Sequence, residues 1–178
     1  MPLRVGQKVA YPSQGVCMVE QIEQKTIGTA LMEFYSLRVL NDNSLIFVPL
    51  KNADSVGIRP VSSPIQCKKL ISKLSADFEP VSSEWKTRSK GFAEQLQSGD
   101  VFEAAEVMKK LTFLSREKKL SFREQNLLEK SKFLIVSELT NGESADEDAL
   151  RAEIERLVEL ACDRHSRSQP KVMSATVH

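Results

Sequence analysis

The segment SSEWKTRSKGF, residues 82–92, combines an aromatic side chain with three cations in a way that suits a polyanion. Trp85 has Lys86, Arg88 and Lys90 close to it in the sequence. Such cations can neutralise phosphate groups, while an indole ring can stack on a base or wedge between two bases. Contact with nucleic acid is therefore one interpretation of this segment.

A second interpretation places the same tryptophan in a hydrophobic core. On an α-helix that begins near Ser83, Trp85 falls in line with Phe92 and Leu96 at 100° per residue. A side chain in the first turn can nevertheless point back beyond the end of its helix, and here cations flank it. Helical spacing leaves both interpretations open.

The residue types that usually carry catalysis or bind metals are sparse in this chain. The two histidines, His165 and His178, lie near no pattern typical of a catalytic triad or a metal site. The three cysteines, Cys17, Cys67 and Cys162, have no CxxC spacing and are expected to be free thiols. No glycine-rich phosphate loop occurs. We therefore expect a binding protein with no cofactor, metal or small-molecule substrate, and not an enzyme.

Overall composition is that of an ordinary soluble protein, with 41% hydrophobic residues, 28% charged residues and a formal net charge of +1. Residues 61–142 carry 14 basic and 11 acidic side chains, whereas residues 143–178 carry 5 and 8. Any contact with nucleic acid must therefore come from a local patch. Neither a signal peptide nor an apolar run long enough to span a membrane is recognised, so a cytoplasmic protein is expected.

The first 60 residues show short alternating segments typical of β-strands. These segments are VGQKVAYPSQG (5–15), VCMVEQIEQ (16–24), EFYSLRVL (33–40) and LIFVPL (45–50). The intervening KTIGTALM contains a glycine and is expected to be a hairpin loop. Because Pro49 cannot donate to a ladder, the last of these strands is expected at a sheet edge or bulge. A small, strongly bent antiparallel sheet or barrel is predicted.

After residue 60 the signals become helical, and about five helices are predicted. Their start signals are Ser63-Pro64, Pro80 with Ser82-Ser83, and capping boxes at Asp100/Glu103, Ser121/Glu124 and Ser144/Glu147. Their stop signals include Gly99 and Asn141-Gly142. Residues 166–178 have no period and are expected to be disordered. The predicted fold class is α+β, with a β domain over 1–60, a helical domain over 61–165 and a tail over 166–178.

Several short motifs in this order resemble the CarD/CdnL family of bacterial RNA polymerase-binding transcription regulators. The same N-terminal module is found in transcription-repair coupling factors. The strongest elements are Val5-Gly6, Tyr11-Pro12, Gly15, Val48-Pro49, Asn52-Ala53 and Val56-Gly57-Ile58-Arg59. In the second half, the resemblance rests on Trp85, the LQSGD pattern at 96–100 and KKLSFRE at 118–124. It covers roughly residues 3–160.

The resemblance implies a Tudor-like N-terminal barrel that docks on the RNA polymerase β subunit by strand pairing. The docking residues would be Lys25 and the strand Leu45, Ile46, Phe47, Val48 and Pro49. It also implies that Trp85 wedges into the DNA minor groove at the upstream edge of the transcription bubble. Phosphate partners would be Lys86, Arg88, Lys90 and Arg123.

The chain departs from the family pattern at several positions that are often basic or aromatic. Thr87, Ser89, Gln125 and Phe47 occupy such positions. Fewer cations release fewer counterions, so weak affinity for DNA in the absence of polymerase is expected. Tethering to polymerase would then raise the effective concentration of the DNA-contacting surface.

The resulting expectation is a monomeric, non-enzymatic transcription regulator that stabilises the open promoter complex. One alternative is a protein–protein adaptor that docks on polymerase and uses its acidic last helix for another protein, with no direct DNA contact. A second alternative is a small enzyme whose site the sequence does not reveal.

Overall fold

A computed structural model describes residues 2–141 and 146–168. The N-terminal half forms a five-stranded antiparallel sheet in the order β4-β3-β2-β1-β5. Its strands are β1 (Lys8–Tyr11), β2 (Gly15–Ile27), β3 (Ala30–Val39), β4 (Leu45–Pro49) and β5 (Arg59–Pro60). A 3-10 turn (Leu50–Asn52) and the short helix α1 (Ala53–Val56) connect β4 to β5. The edge position expected for the strand that contains Pro49 is confirmed, since β4 ends the sheet.

Alternating side chains of the sheet form its own hydrophobic core. Val9, Val19 and Leu37 are fully buried there and pack with Cys17. Burial raises the pKa of the Cys17 thiol to about 12, and the charge of Asp42 adds to the effect. Cys17 is thus a small core residue, as predicted, and a thiol with so high a pKa supplies little thiolate nucleophile at neutral pH.

The β2–β3 hairpin is longer than the sequence indicated. KTIGTALM was expected to be a loop, but β2 continues through Ile27 and β3 starts at Ala30. Only Gly28 and Thr29 lie between them, and Gly28 has a φ of +65°. A two-residue connection of this kind needs positive φ, which glycine adopts at little cost. Pairing runs from Ile27↔Ala30 to Cys17↔Val39, with one shift in register between Val19 and Gln21.

Within residues 2–141 and 146–168, five helices follow the sheet, in agreement with the predicted number and the predicted α+β class. They are α2 (Pro64–Leu74), α3 (Trp85–Gln97), α4 (Val101–Glu117), α5 (Phe122–Thr140) and α6 (Glu147–Ser168). Helix α4 is central and contacts the four others. Its fully buried Ala105, Val107 and Leu111 belong to a second hydrophobic core, separate from that of the sheet.

Most of the predicted helix signals hold, and one capping box does not. Pro64 occupies the first turn of α2, and the Ser121/Glu124 box forms at the start of α5. Asp100 caps α4 by accepting from the Phe102 N–H, but Glu103 instead accepts a hydrogen bond from the side chain of Gln95. The predicted Ser144/Glu147 box includes Ser144, which lies outside the described residues.

Helix α6 extends beyond the predicted boundary at residue 165. It continues through Ser168, whose hydroxyl donates to Asp77 Oδ2 at 2.8 Å and lies 3.1 Å from the carbonyl oxygen of His165. His165 itself lies 2.7 Å from Asp77 Oδ1, and its ring stacks on Phe78. These contacts tie the last turn of α6 to the segment after α2, so residues 166–168 are helical. The rest of the predicted tail lies outside the described residues.

Polar contacts join the sheet to α5. The Glu138 carboxylate accepts from both terminal nitrogens of Arg59 at 3.0 Å and from the Ser62 N–H at 2.6 Å. The Ser137 hydroxyl accepts from the Val16 N–H at 2.9 Å. Gly15 faces the same place with a φ of +84°, and a Cβ there would lie 2.8 Å from Ser137 Oγ. A side chain at position 15 would therefore be both strained and in collision.

Candidate functional site

The tryptophan of the SSEWKTRSKGF segment is exposed at the start of its helix. Trp85 is the first residue of α3 and is 59% exposed, whereas Phe92 and Leu96 on the same stripe are buried. The helix begins later than the predicted start near Ser83, because the preceding Glu84 is extended. The predicted alignment of Trp85 with Phe92 and Leu96 is compatible with this exposure, since the hydrophobic core ends before the first turn.

Two of the predicted cations are exposed on the same helix as the indole. Lys86 and Lys90 are exposed and lie one helical turn apart on α3. The Lys86 ammonium is 5.6 Å from the centroid of a Trp85 ring, within the range of a cation–π contact. The indole face and two cations are therefore presented to solvent together, and this arrangement suits a base stacked beside its phosphates.

The third predicted cation of this segment, Arg88, lies inside the protein. The phosphate contact expected for it is therefore wrong. Arg88 is only 5% exposed. Its Nη2 donates to Glu124 Oε2 at 2.9 Å, its Nε donates to the same oxygen at 3.3 Å, and its Nη1 donates to the Ser82 carbonyl at 2.8 Å. A buried guanidinium with these partners holds α3 against α5 and has no free donor fork for a phosphate.

Glu124 completes this buried pair. It is 3% exposed, and its other oxygen, Oε1, accepts from the backbone N–H and the hydroxyl of Ser121. Burial alone would raise the pKa of Glu124, but the hydrogen bonds from Arg88 and Ser121 outweigh it, so that this pKa is lowered. The carboxylate thus caps α5 and neutralises Arg88 at the same time.

The predicted Arg123 is exposed in the first turn of α5, beside this pair. Sequence reasoning missed the residue before it. Phe122 is the first residue of α5 and is 79% exposed. The sequence does carry a signal for its exposure. An aromatic residue directly after a capping serine and before an arginine does not belong to the apolar stripe of the helix. The Arg88–Glu124 contact brings the start of α5 next to the start of α3, so both exposed aromatics lie in the same region.

The second group of predicted residues lies on the sheet edge. Leu45 and Phe47 are exposed, Ile46 and Pro49 are half-buried, and Val48 is buried in the sheet core. Lys25 of β2 reaches across β3, and its ammonium lies 3.9 Å from the centroid of the Phe47 ring. The structure therefore brings the predicted Lys25 and Phe47 together on one face and leaves the outer edge of β4 unpaired within the described chain.

Among residues 2–141 and 146–168, no three His, Cys, Asp or Glu side chains are grouped so that they could hold a metal ion. No helix in these ranges is long and apolar enough to cross a membrane.

Comparison with known proteins places both halves of the chain in one family. Residues 3–62 match the family model described as CarD-like/TRCF RID domain, and residues 69–155 match the model described as CarD, C-terminal domain. The proposed transcription factor YdeB of Bacillus subtilis (strain 168) is 26% identical over 136 residues, which cover 76% of this chain and 89% of YdeB.

One solved structure is similar to part of the chain. The 72-residue N-terminal domain of Myxococcus xanthus CarD, determined by solution NMR, is 35% identical, with 35% of this chain and 83% of that domain covered and a TM-score of 0.29. The assignment rests on the two family models, which together span most of the chain in the order of the two halves described above. The chain belongs to the CarD-like family of transcription regulators that interact with RNA polymerase.

Proposed function

We propose that this protein is a non-enzymatic, monomeric regulator that docks on the RNA polymerase β subunit and stabilises the open promoter complex. In this proposal the edge strand β4 and Lys25 contact polymerase, while Trp85, Lys86, Lys90 and Arg123 contact promoter DNA at the upstream edge of the bubble. The observation that carries it is the 59% exposure of Trp85 at a helix start, with Lys86 over its ring and a second exposed lysine, Lys90, one turn further along the helix.

The physical effect of the wedge is to oppose reannealing of the two strands. Closing the bubble would require expelling the indole from a deformed minor groove, so the ring stabilises the open state selectively. Contacts of this kind are worth about 1–3 kcal/mol per base. With Arg88 buried, Lys86, Lys90 and Arg123 remain as phosphate partners. Since few counterions are released, DNA binding depends on tethering to polymerase.

Trp85→Ala is expected to shorten the lifetime of the open complex by about tenfold, because the stacking energy is lost from the open state alone. The measurement is open-complex decay after addition of a competitor, with polymerase and the full-length chain. Trp85→Phe keeps an aromatic face and should retain an intermediate lifetime. An unchanged open-complex lifetime in Trp85→Ala, with polymerase binding intact, would contradict the wedge role proposed for Trp85.

Photo-crosslinking separates this function from that of an adaptor with no DNA contact. A crosslinking amino acid at position 86 should label promoter DNA near the upstream fork only when polymerase is present. The same amino acid at Ile65, an exposed position of α2, serves as the control. Absence of a crosslink from position 86 in an intact complex would favour the adaptor.

The docking half of the proposal is supported by the outer edge of β4, with which no other described strand pairs. An unpaired edge offers backbone donors and acceptors to a strand of a partner, and alternate side chains then set specificity. On β4 the exposed alternate residues are Leu45 and Phe47, with Lys25 stacked over the Phe47 ring. A partner strand laid along β4 would cover this apolar and cationic strip.

Phe47→Glu is expected to weaken binding to the polymerase β subunit by about tenfold or more. The change removes apolar contact area, since Phe47 is 44% exposed, and neutralises the adjacent Lys25 charge. A pull-down or titration with the isolated β subunit measures it, and thermal unfolding checks the fold. Ile65→Glu introduces the same charge at an exposed apolar position of α2 and should bind normally. Equal binding by the two variants would contradict β4 docking.

A further inference from the structure

Phe122 carries an aromatic ring that the fold itself does not use. At 79% exposed, it has the largest exposed fraction of any large hydrophobic residue in the described chain. It does not belong to the hydrophobic core of the helices, whereas Leu127 and Leu128 on the same helix pack against that core. No aromatic ring contact involves Phe122 within the described residues. Folding therefore gives no reason for an aromatic residue at this position.

The position of Phe122 mirrors that of Trp85. Each is the first residue of its helix, Trp85 on α3 and Phe122 on α5. Arg88, three residues after Trp85, is bonded to Glu124, two residues after Phe122. At a rise of about 1.5 Å per residue, each aromatic lies within roughly one turn of this contact. The buried ion pair thus places two exposed rings at neighbouring helix starts.

The charge around Phe122 is complementary to a polyanion. The segment KKLSFRE, 118–124, supplies exposed Lys118, Lys119 and Arg123, and α3 adds Lys86 and Lys90. Against these five cations stand three exposed carboxylates, Glu84, Glu94 and Glu117, because Glu124 is buried and paired. Within the described residues, no salt bridge involves any of the five cations. A protein partner with an apolar surface would gain little from them, whereas a phosphate backbone would gain from each.

We propose that Phe122 is a second base-stacking residue, which contacts an unpaired base of the promoter strand displaced beside the Trp85 wedge. A single-stranded base offers a π-face to an aromatic ring whatever its identity, and flanking cations follow its phosphates. Trp85 then acts at the edge of the duplex, and Phe122 acts on the strand that has already separated. This inference rests on the proposed function, because it assumes that the α3–α5 end meets promoter DNA.

The test is a set of variants at one exposed position, assayed as the full-length chain with polymerase and promoter DNA. Phe122→Ala should shorten the open-complex lifetime by about fivefold or more, and Phe122→Tyr should leave it close to normal. Phe122→Leu is the matched control, since it keeps an apolar side chain without a π-face and should behave like Phe122→Ala. The melting temperature should not change in any of them, because the ring is exposed.

A second readout follows the base directly. A 2-aminopurine is placed in turn at the unpaired positions near the upstream fork, and its fluorescence is measured. The wild-type chain should quench this fluorescence at one position. Phe122→Ala should abolish the quenching, whereas Phe122→Tyr should retain it. Phe122→Leu with a normal lifetime would indicate an apolar contact with protein and would overturn the inference.

Failure of the inference and failure of the proposed function give different results. A short lifetime in Trp85→Ala with a normal lifetime in Phe122→Ala would overturn only the second stacking contact. Normal lifetimes in both variants would overturn the proposed function, and the inference with it.

Discussion

Replacing Arg88 with alanine is expected to destabilise the helical half by about 3–5 kcal/mol, the usual result of removing one partner of a buried ion pair. The substitution would leave the Glu124 carboxylate buried at 3% exposure without its cation, and the Ser82 carbonyl without its donor. Urea or thermal unfolding followed by circular dichroism measures the effect. Lys90→Ala on the same helix removes an exposed cation and should change stability by no more than about 0.5 kcal/mol.

The pH dependence of this destabilisation follows from Glu124. Its pKa in the folded protein lies below the ordinary value of 4.5, so its contribution to stability is complete above pH 4.5. That contribution is lost as the pH falls through the lower, folded pKa. In Arg88→Ala, burial should instead raise the pKa of Glu124, because the principal counter-ion is gone. The difference in free energy of unfolding between the wild-type chain and Arg88→Ala should therefore become smaller at acid pH. A difference below about 1 kcal/mol at pH 7 would contradict the structural role of Arg88.

Glu138→Ala is expected to loosen the contact between the sheet and the helices and to cost about 2–3 kcal/mol of stability. Glu138 is 3% exposed and accepts three hydrogen bonds, from Arg59 and from the Ser62 N–H. The expected loss of stability is smaller than for Arg88→Ala. The Arg59 side chain is 31% exposed, so without Glu138 its guanidinium can be hydrated by solvent. Hydrogen exchange should rise at β5 and along the adjoining part of α5.

The same variant should shorten the open-complex lifetime although it changes no residue proposed to contact DNA or polymerase. If one half is held on polymerase, the effective concentration of the other half at the fork depends on how rigidly the two are joined. Glu94→Ala, an exposed carboxylate of α3, is the matched control and should leave both stability and lifetime unchanged. A destabilised Glu138→Ala with a normal lifetime would show that rigidity between the two halves is not needed.

Local signals made most of the fold predictable. The β-then-α order, the edge position of β4 and the Ser121/Glu124 box all depend on residues close together in sequence, and the structure confirms them. The length of the β2–β3 hairpin was not predictable in this way, because polar and small residues in KTIGTALM resemble a loop. Pairing along the neighbouring strand, from Ile27↔Ala30 onward, overrides those weak preferences.

Contacts between distant residues decided the site. The helical period places Trp85 on the apolar stripe of α3. Whether Trp85 itself is buried depends on whether the hydrophobic core of the helices extends as far as the first turn of α3. Arg88 looked like one cation among three, since its buried partner Glu124 is 36 residues away and was assigned to a capping box alone. Phe122 differs from these two residues, because its place between a capping serine and an arginine, away from any apolar stripe, already indicates exposure.

The close approach of Gly15 to Ser137 restricts which halves can be combined by recombination or by design. The Val16 N–H bonds to the Ser137 hydroxyl, and the Lys130 ammonium bonds to the Ser13 carbonyl at 2.8 Å. A sheet module from a relative with a side chain at position 15 would not pack against these helices. Helices with a residue larger than serine at position 137 would not pack against this sheet. The two halves of this chain are thus a matched pair, and changes at one face of the junction are constrained by the other.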